Sequence, residues 1–584
     1  MGKLLHYLKA YTKESILGPL FKLLEASFEL LIPIVMAHII DEGINNKDMP
    51  YILKMGGIII ALGLIGLVCS ITAQYFAAKA AVGFATALRF DLFKHIQSLS
   101  YSEMDTIGTS TLITRMTSDI NQVQSGVNLV LRLFLRSPFI VFGAMVMAFT
   151  INVKAALVFV VTIPLLSIVV FGVMIISIPL YRKVQNRLDK VLLHTRENLS
   201  GARVIRAFNK EEEEKRDFEQ ANDTLVKGQI FVGKISALMN PLTYVIINGA
   251  MAVLIWTGAW QVEGGIISQG EVVALVSYMS QILVELVKLA NLIINITKSL
   301  ACAKRIQSVF ETTTSLRPGS GTAPLKDREE PVVVFDNVSF AYANALEDSL
   351  KGISFSVKKG QTVGIIGGTG SGKTSLVNLI PRFYDATKGK VFVAGNEVSQ
   401  YTFAQLRDKI GIVPQKAVLF KGSIADNLRW GCPDATKEQM EEVLCAAQAL
   451  GFVQEKEKGL DTVILQGGSN LSGGQRQRLT IARALVRKPE ILILDDSASA
   501  LDYATDAKLR KAIKNLDKDM TVFIVSQRTA SIWHADKIIV LDDGEVAGIG
   551  THDELLENCG VYQEIYYSQF PKANINMKGD VIHA

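Results

Sequence analysis

Val363-Gly364-Ile365-Ile366-Gly367-Gly368-Thr369-Gly370-Ser371-Gly372-Lys373-Thr374-Ser375 decides the fold of the C-terminal half. Val363 to Ile366 is an apolar run of strand length, and Ser375 to Ile380 has a helix-like pattern. The loop between them is a phosphate cradle. Its glycines let backbone N–H groups wrap a phosphate, Lys373 reaches β and γ phosphates, and Thr374 can hold Mg²⁺. A strand before the loop and a helix after it are the context this reading requires.

Working outward, Asp495 ends the apolar strand Ile491 to Leu494 roughly 120 residues later, where a carboxylate completes a Mg²⁺ shell in P-loop NTPases. Leu471-Ser472-Gly473-Gly474-Gln475 lies between the two and opens the helical stretch Arg476 to Val486. A serine and two glycines at a helix N-terminus form a second anion site. The phosphate loop has no need of it, which suggests a nucleotide held between two chains. From Val332-Val333-Val334 onward strands alternate with helical stretches, as in an α/β core. Residues 311–331, rich in Gly, Pro, Ser and Thr, read as a linker.

The N-terminal half has a different composition. The chain has 584 residues, so several domains are expected. Its mean hydropathy of +0.28, with 49% hydrophobic and 20% charged residues, is too apolar for an ordinary soluble protein of that size. The excess sits before about residue 305, in runs that meet the length of ~20 residues a membrane span needs. Six are expected: Ile16 to Ile40, Ile52 to Ala78, Val127 to Ile151, Ala155 to Leu180, Ile235 to Trp260 and Val272 to Ile296. Met1 to Lys13 is a short basic amphipathic segment with no cleavage site after the first apolar run, expected to lie on the cytoplasmic face.

Basic residues near spans mark the cytoplasmic side. They crowd the segment between the fourth and fifth spans, from Arg182 to Arg216, whereas the loop between the first two holds only Lys47. Both termini, and the α/β half, are therefore expected inside. The two long polar segments read as helical extensions of the spans, with Ser100 to Asp105 and Phe208 to Lys215 as cross-helices at their tips. Inside the spans, Glu25 and Glu29 share a helix face, as do Glu285 and Lys288. They either line a polar substrate cavity, pair between helices or snorkel to an interface.

A net charge of +5, without a basic patch interleaved with aromatics, excludes nucleic acid as the expected partner. The five scattered cysteines, with no CxxC pair, exclude a disulfide framework or zinc site.

Tyr342, Gly367 to Ser375, Gln415 after Val413-Pro414, Leu471 to Gln475, Asp495, Ser499 to Asp502 and Gln527 fall in the order and spacing of an ATP-binding cassette. With six spans ahead of it, the chain resembles half of an ABC exporter of the type IV fold. The resemblance implies a multidomain fold: an all-α six-helix transmembrane domain (1–310), a linker (311–331), an α/β P-loop ATPase domain (332–571) and a tail (572–584). It implies ATP and Mg²⁺ as cofactors. Tyr342 is expected to stack on adenine, and Gly367, Gly368, Thr369, Gly370, Ser371, Gly372, Lys373, Thr374 and Ser375 to hold the phosphates. Thr374, Gln415 and Asp495 are expected around Mg²⁺. Ser472, Gly473, Gly474 and Gln475 would face the γ-phosphate on a partner's loop, and Asp502 would cross the seam.

Two positions depart from the family pattern. A glutamate that polarises water usually follows the Mg²⁺-binding aspartate, and a histidine usually grips the γ-phosphate; here they are Asp496 and Gln527. Asp is one methylene shorter, drawing its carboxylate back by ~1.5 Å, and Gln carries no positive charge. A misplaced base loses rate steeply, by about a hundredfold for ~1 Å. Gln466 also stands where exporters usually carry Glu.

The resemblance therefore implies a degenerate site on this chain and a complete one on a different half-transporter, the pair exporting amphipathic molecules such as drugs across the inner (plasma) membrane by alternating access. A homodimeric lipid or peptide exporter, an importer on the exporter fold and a non-catalytic regulatory subunit are the alternatives.

Overall fold

The computed structural model describes residues 4–321, 331–343, 345–497 and 501–570. They form two compact units, Met1–Gln97 with Ser110–Thr312, and Ser98–Thr109 with Thr313–Ala584. The division does not follow chain order: one short piece from between the second and third spans belongs with the C-terminal unit.

Six helical segments of the first unit are long and apolar enough to cross a membrane: Leu4–Ile44, Met49–Ser98, Thr109–Ile151, Val153–Ser200, Glu211–Glu263 and Gln269–Glu311. Each contains one expected span. A segment of 43 residues such as Gln269–Glu311 runs ~65 Å at ~1.5 Å per residue, about twice the ~30 Å hydrocarbon core. The polar extensions are therefore continuous with the spans, as their helical pattern implied. The faces that meet are lined by small residues, with Ala26, Ala73, Ala77, Ala144, Ala156 and Ala274 fully buried, which lets helix backbones approach closely where no hydrophobic force between helices operates. Leu53, Val161, Ile168 and Val245 face outward, the apolar exterior that lipid requires.

The first cross-helix forms at Tyr101–Ile107, opened by a capping box between Ser100 and Glu103. The second does not lie at Phe208 to Lys215. It lies at Ala202–Ala207, and Phe208 to Lys210 form the turn behind it. Gly201, at φ −90 and ψ 7, ends the long helix, and Asn209 reverses the chain at φ +54. Four consecutive glutamates, Glu211 to Glu214, then start the helix Glu211–Ala237, where negative charge meets the positive end of the helix dipole. The acidic run Glu211 to Glu214 is thus the first turn of the returning helix and not part of a cross-helix. At the N-terminus, Leu4–Tyr11 is a 3₁₀ turn leading into the helix Thr12–His38.

The second unit is built on a six-stranded sheet in the order Glu545–Gly550, Lys537–Asp542, Thr362–Gly367, Thr521–Val525, Ile491–Asp495, Ile410–Val413. All neighbours are parallel except Glu545–Gly550, which pairs antiparallel with Lys537–Asp542. Residues Ile491 to Leu494 and Val522 to Val525 are buried, the continuous apolar reading expected of strands covered on both faces. An antiparallel sheet centred on Val333–Phe340 pairs with Leu350–Val357 on one side and Lys388–Val393 on the other. The linker residues 322–330, Ser499 and Ala500, and the tail 572–584 lie outside the described residues.

Candidate functional site

Three adjacent parallel strands end together at one edge of the large sheet. Val525 pairs with both Ile365 and Asp495, Ser526 N donates to Ile365 O at 3.0 Å, and Asp496 N donates to Val525 O at 3.0 Å. This register delivers the phosphate loop, Gln527 and the Asp495-Asp496 pair to one place. Ligands of open α/β sheets bind there, beyond the carboxyl ends of the strands. A cavity of about 340 Å³ opens at this edge, lined by Tyr342, Thr369, Lys373, Gln415, Asp496 and Gln527 among others.

Of the predicted loop residues, Thr369, Gly370, Gly372, Lys373, Thr374 and Ser375 line the cavity. Gly367, Gly368 and Ser371 stand behind it: the Lys373 Nζ donates to Gly367 O (3.0 Å), Gly368 O (2.5 Å) and Ser371 Oγ (3.3 Å). A side chain at Gly367 would put its Cβ 2.1 Å from Leu541 O, so only glycine lets the strand turn there. Gly370 and Gly372 adopt φ +88 and +90, the left-handed region glycine enters without strain. Burial lowers the Lys373 pKa, against the pull of Asp496 and Asp495. The ammonium sits in a carbonyl cradle at the cavity wall, a donor placed where it would meet an anionic phosphate.

Thr374 Oγ1 donates to Asp495, 3.0 and 3.1 Å from the two carboxylate oxygens. Asp495 is buried, and that burial, joined by the neighbouring Asp496, raises its pKa while Thr374 and Lys373 oppose the rise. A hard cation between hydroxyl and carboxylate relieves this strain on the charge, and oxygen donors of this kind suit Mg²⁺. The residues present therefore fit the group: Thr374 and Asp495 would hold it, and when bound it neutralises phosphate charge.

Asp496 stands at φ +45, with Gln415 Nε2 donating to its Oδ2 at 3.4 Å. Both line the cavity with Gln527. The two departures from the family pattern therefore line the same pocket. Tyr342 also lines it. Its hydroxyl is 2.9 Å from Ser375 Oγ, and its ring packs edge-on against Phe340 and Tyr384. Ser349, Val525 and Ser526 complete the lining, and no motif marked them in the sequence.

Ser472 to Gln475 and Asp502 are absent from that lining. Ser472 caps the helix Gly473–Leu485, accepting from Gln475 N at 3.2 Å while Gln475 Oε1 accepts from Ser472 N at 3.0 Å. A Cβ on Gly473 would meet nothing within 4 Å, so the helix start is open to a ligand. Asp502 caps Tyr503–Leu516 through Thr505 N at 2.8 Å. Gln466 is exposed in the turn Gln466–Gly468.

In the membrane unit, Glu25, Glu29 and Glu285 are all ion-paired, within a helix or between helices. Arg136 donates to Glu29 (2.6 Å) and to Glu285 (2.7 Å). Ser137 Oγ (2.8 Å) and Lys288 (2.8 Å) complete the contacts to Glu285. Glu25 pairs with Lys22 at 2.5 Å. Sequence reasoning missed Arg136 because Val127 to Ile151 reads as one apolar span; an arginine inside such a span was itself the signal. The five cysteines form no disulfide, and no group of three or more His, Cys, Asp or Glu side chains that could hold a metal ion occurs among the described residues.

Comparison with known proteins follows the same division. Residues 15–286 match the family model for the ABC transporter transmembrane region, and residues 350–499 match that for the ABC transporter. An uncharacterized ABC transporter ATP-binding protein of Mycobacterium tuberculosis is 36% identical over 99% of this chain and 100% of its own length. The ATP-dependent lipid A-core flippase of Hahella chejuensis is 31% identical over 98% of this chain and 97% of its own. The solved structure of a bacterial Atm1-family ABC exporter with ATP bound superposes with a TM-score of 0.77, at 23% identity, covering 97% of this chain and 99% of that one.

Proposed function

The chain belongs to the ABC transporter family, as a six-span transmembrane domain joined to one ATPase domain, and from that premise we propose that it is the degenerate-site half of a heterodimeric ABC exporter. It is a multi-pass protein of the inner (plasma) membrane with its ATPase domain in the cytoplasm, and that domain's family binds ATP.

The observation that carries the proposal is the coincidence of Asp496 and Gln527 in a cavity that keeps Lys373, Thr374 and Asp495. The retained groups hold MgATP: Lys373 takes the β and γ phosphates, Thr374, Gln415 and Asp495 surround Mg²⁺, and Tyr342 packs against adenine. Cleavage requires a base within ~2.6 to 3.2 Å of the attacking water's proton, which the shorter Asp496 reaches poorly, and Gln527 supplies no charge for the γ-phosphate. This pocket holds ATP for long periods. The outward-facing Ser472 to Gln475 and the Asp502 turn serve a partner's pocket, whose own glutamate and histidine drive the cycle. Export of amphipathic molecules, drugs among them, by alternating access is the transport activity.

A homodimeric lipid exporter is the second reading, favoured by the 31% identity to a lipid A-core flippase. The two are separated by purifying this chain alone, and together with the neighbouring half-transporter, in lipid. ATPase activity confined to the pair, and abolished by Glu→Gln at the partner's catalytic position, is the expected outcome. Robust activity of this chain alone that depends on Asp496 overturns the heterodimer in favour of the homodimer.

A further inference from the structure

Gln527 reaches the cavity from a loop whose backbone is held by a residue 42 positions later. Gln569, the last residue of the helix Gly560–Gln569, donates from Nε2 to Gln527 O at 2.7 Å. Its Oε1 accepts from Thr529 N at 2.9 Å and from Thr529 Oγ1 at 3.0 Å. One amide thus makes three hydrogen bonds to a three-residue loop. Thr529 is fully buried, so its end of the loop is fixed, while Gln527 is exposed at the cavity.

The helix that carries Gln569 has a firm base. Tyr562 is fully buried and Tyr566 nearly so, and Tyr562 OH lies 2.7 Å from His552 Nδ1. Phe570 stacks on Trp533 at 5.9 Å and leans on Tyr566 at 5.1 Å. Gln569 itself is exposed and adds little packing of its own. Its amide is oriented by bonds to the loop, with a donor at one end and an acceptor at the other.

We propose that Gln569 is a positioning residue of the nucleotide pocket: it sets where the Gln527 side chain stands relative to a nucleotide's terminal phosphate, linking the C-terminal helix to the pocket. This rests on the pocket holding ATP as read above. A terminal-phosphate contact distinguishes ATP from ADP, so loss of position is expected to weaken ATP and leave ADP untouched. The size is that of one neutral hydrogen bond, about tenfold.

The test is photolabelling of this chain by 8-azido-ATP in the full transporter in lipid, competed with ATP or ADP. Gln569→Ala is expected to reduce the ATP-over-ADP preference about tenfold with ADP competition unchanged. Gln569→Glu keeps the acceptor for Thr529 and places an oxygen against Gln527 O; it is expected to lose the same preference, and it carries the test where Gln569→Ala unfolds. Gln527→Ala is expected to match them, and Gln527→Ala with Gln569→Ala to lose no more than either alone. Gln563→Ala, on the same helix but bonded to Leu556 O, is expected to behave as wild type.

Equal loss of ATP and ADP, no loss, or additive losses in the double variant overturns the proposal. Wild-type labelling that survives Lys373→Ala instead overturns the nucleotide reading of the pocket, an outcome distinct from failure of Gln569 alone.

Discussion

Asp496 and Gln527 differ from the family pattern by one methylene and one charge, and the pocket around them is otherwise equipped. Restoring both, Asp496→Glu with Gln527→His, is expected to raise turnover at this chain's pocket ten- to a hundredfold, the range a ~1 Å correction of a base can supply. On the heterodimer proposal, the measurement is single-turnover hydrolysis with the catalytic Glu of the proposed partner chain changed to Gln. Unchanged turnover would place the defect elsewhere. Gln415, bonded to Asp496 at 3.4 Å, is near enough to orient the same water, so Gln415→Ala in the restored background is the natural control. The residues that bear on this site were legible as types, since Lys373, Thr374 and Asp495 follow a spacing with a mechanism behind it. Ser349 was not, because it precedes Leu350–Val357 of the separate antiparallel sheet and reaches the loop only through the packing of that sheet.

At the scale of elements, the cross-helix Tyr101–Ile107 is bound into the ATPase unit by contacts that no motif announces. Tyr384 OH donates to Asp105 Oδ2 at 2.6 Å, Tyr101 packs on Phe383 at 4.7 Å, and Ser315 N donates to Glu103 at 3.1 Å. Burial and the Asp105 hydrogen bond raise the Tyr384 pKa, keeping it a proton donor. Its ring also meets Tyr342, whose hydroxyl touches Ser375. A continuous path therefore runs from cross-helix to phosphate loop. Tyr384→Phe is expected to lower transported molecules per ATP several-fold with ATP affinity unchanged, measured in vesicles; an unchanged ratio removes Tyr384 from the coupling.

The C-terminal helices carry a pH dependence. Burial lowers the His552 pKa below its usual 6.5, with Asp553 opposing and His534 reinforcing the shift. The unfolded chain then binds the proton more readily than the folded one, so the stabilisation is present above pH ~6.5 and is lost as pH falls through the lower folded value. The ATPase unit's unfolding midpoint is expected to drop on acidification from pH 7 through 5, and His552→Gln to flatten that slope. The polar segment after the second span places the first cross-helix within a residue or two of the observed Tyr101–Ile107, whereas at the second the acidic start of the returning helix stands where the sequence puts the cross-helix. Both patterns favour helix; only the turn at Gly201 and Asn209 separates them.

For the whole molecule, the buried ion cluster joins three helices of the membrane unit: Glu29 on Thr12–His38, Arg136 on Arg136–Ile151 and Glu285 on Gln269–Glu311. Removing Arg136 leaves Glu285 with only Ser137 and Lys288 and takes from the partly exposed Glu29 its Arg136 cation, a change bounded above by the ~3 to 5 kcal/mol that breaking a fully buried pair costs. Arg136→Met is expected to lower the thermal midpoint in lipid strongly, and adding Glu29→Gln and Glu285→Gln to recover most of the loss. A midpoint that Arg136→Met leaves in place would show that the cluster is solvated and contributes little.

The chain's sequence by itself determined the six spans, the phosphate loop, the signature helix start and the two departures at Asp496 and Gln527, because these depend on local composition and short spacing. The tertiary structure alone decided which residues meet. Arg136 reaches Glu285 across 149 residues, Tyr384 reaches Asp105 across 279, and Gln569 holds the Gln527 loop. Such contacts depend on strand register and helix packing, which bring distant segments within a few ångströms and leave no periodic trace in the order of the residues.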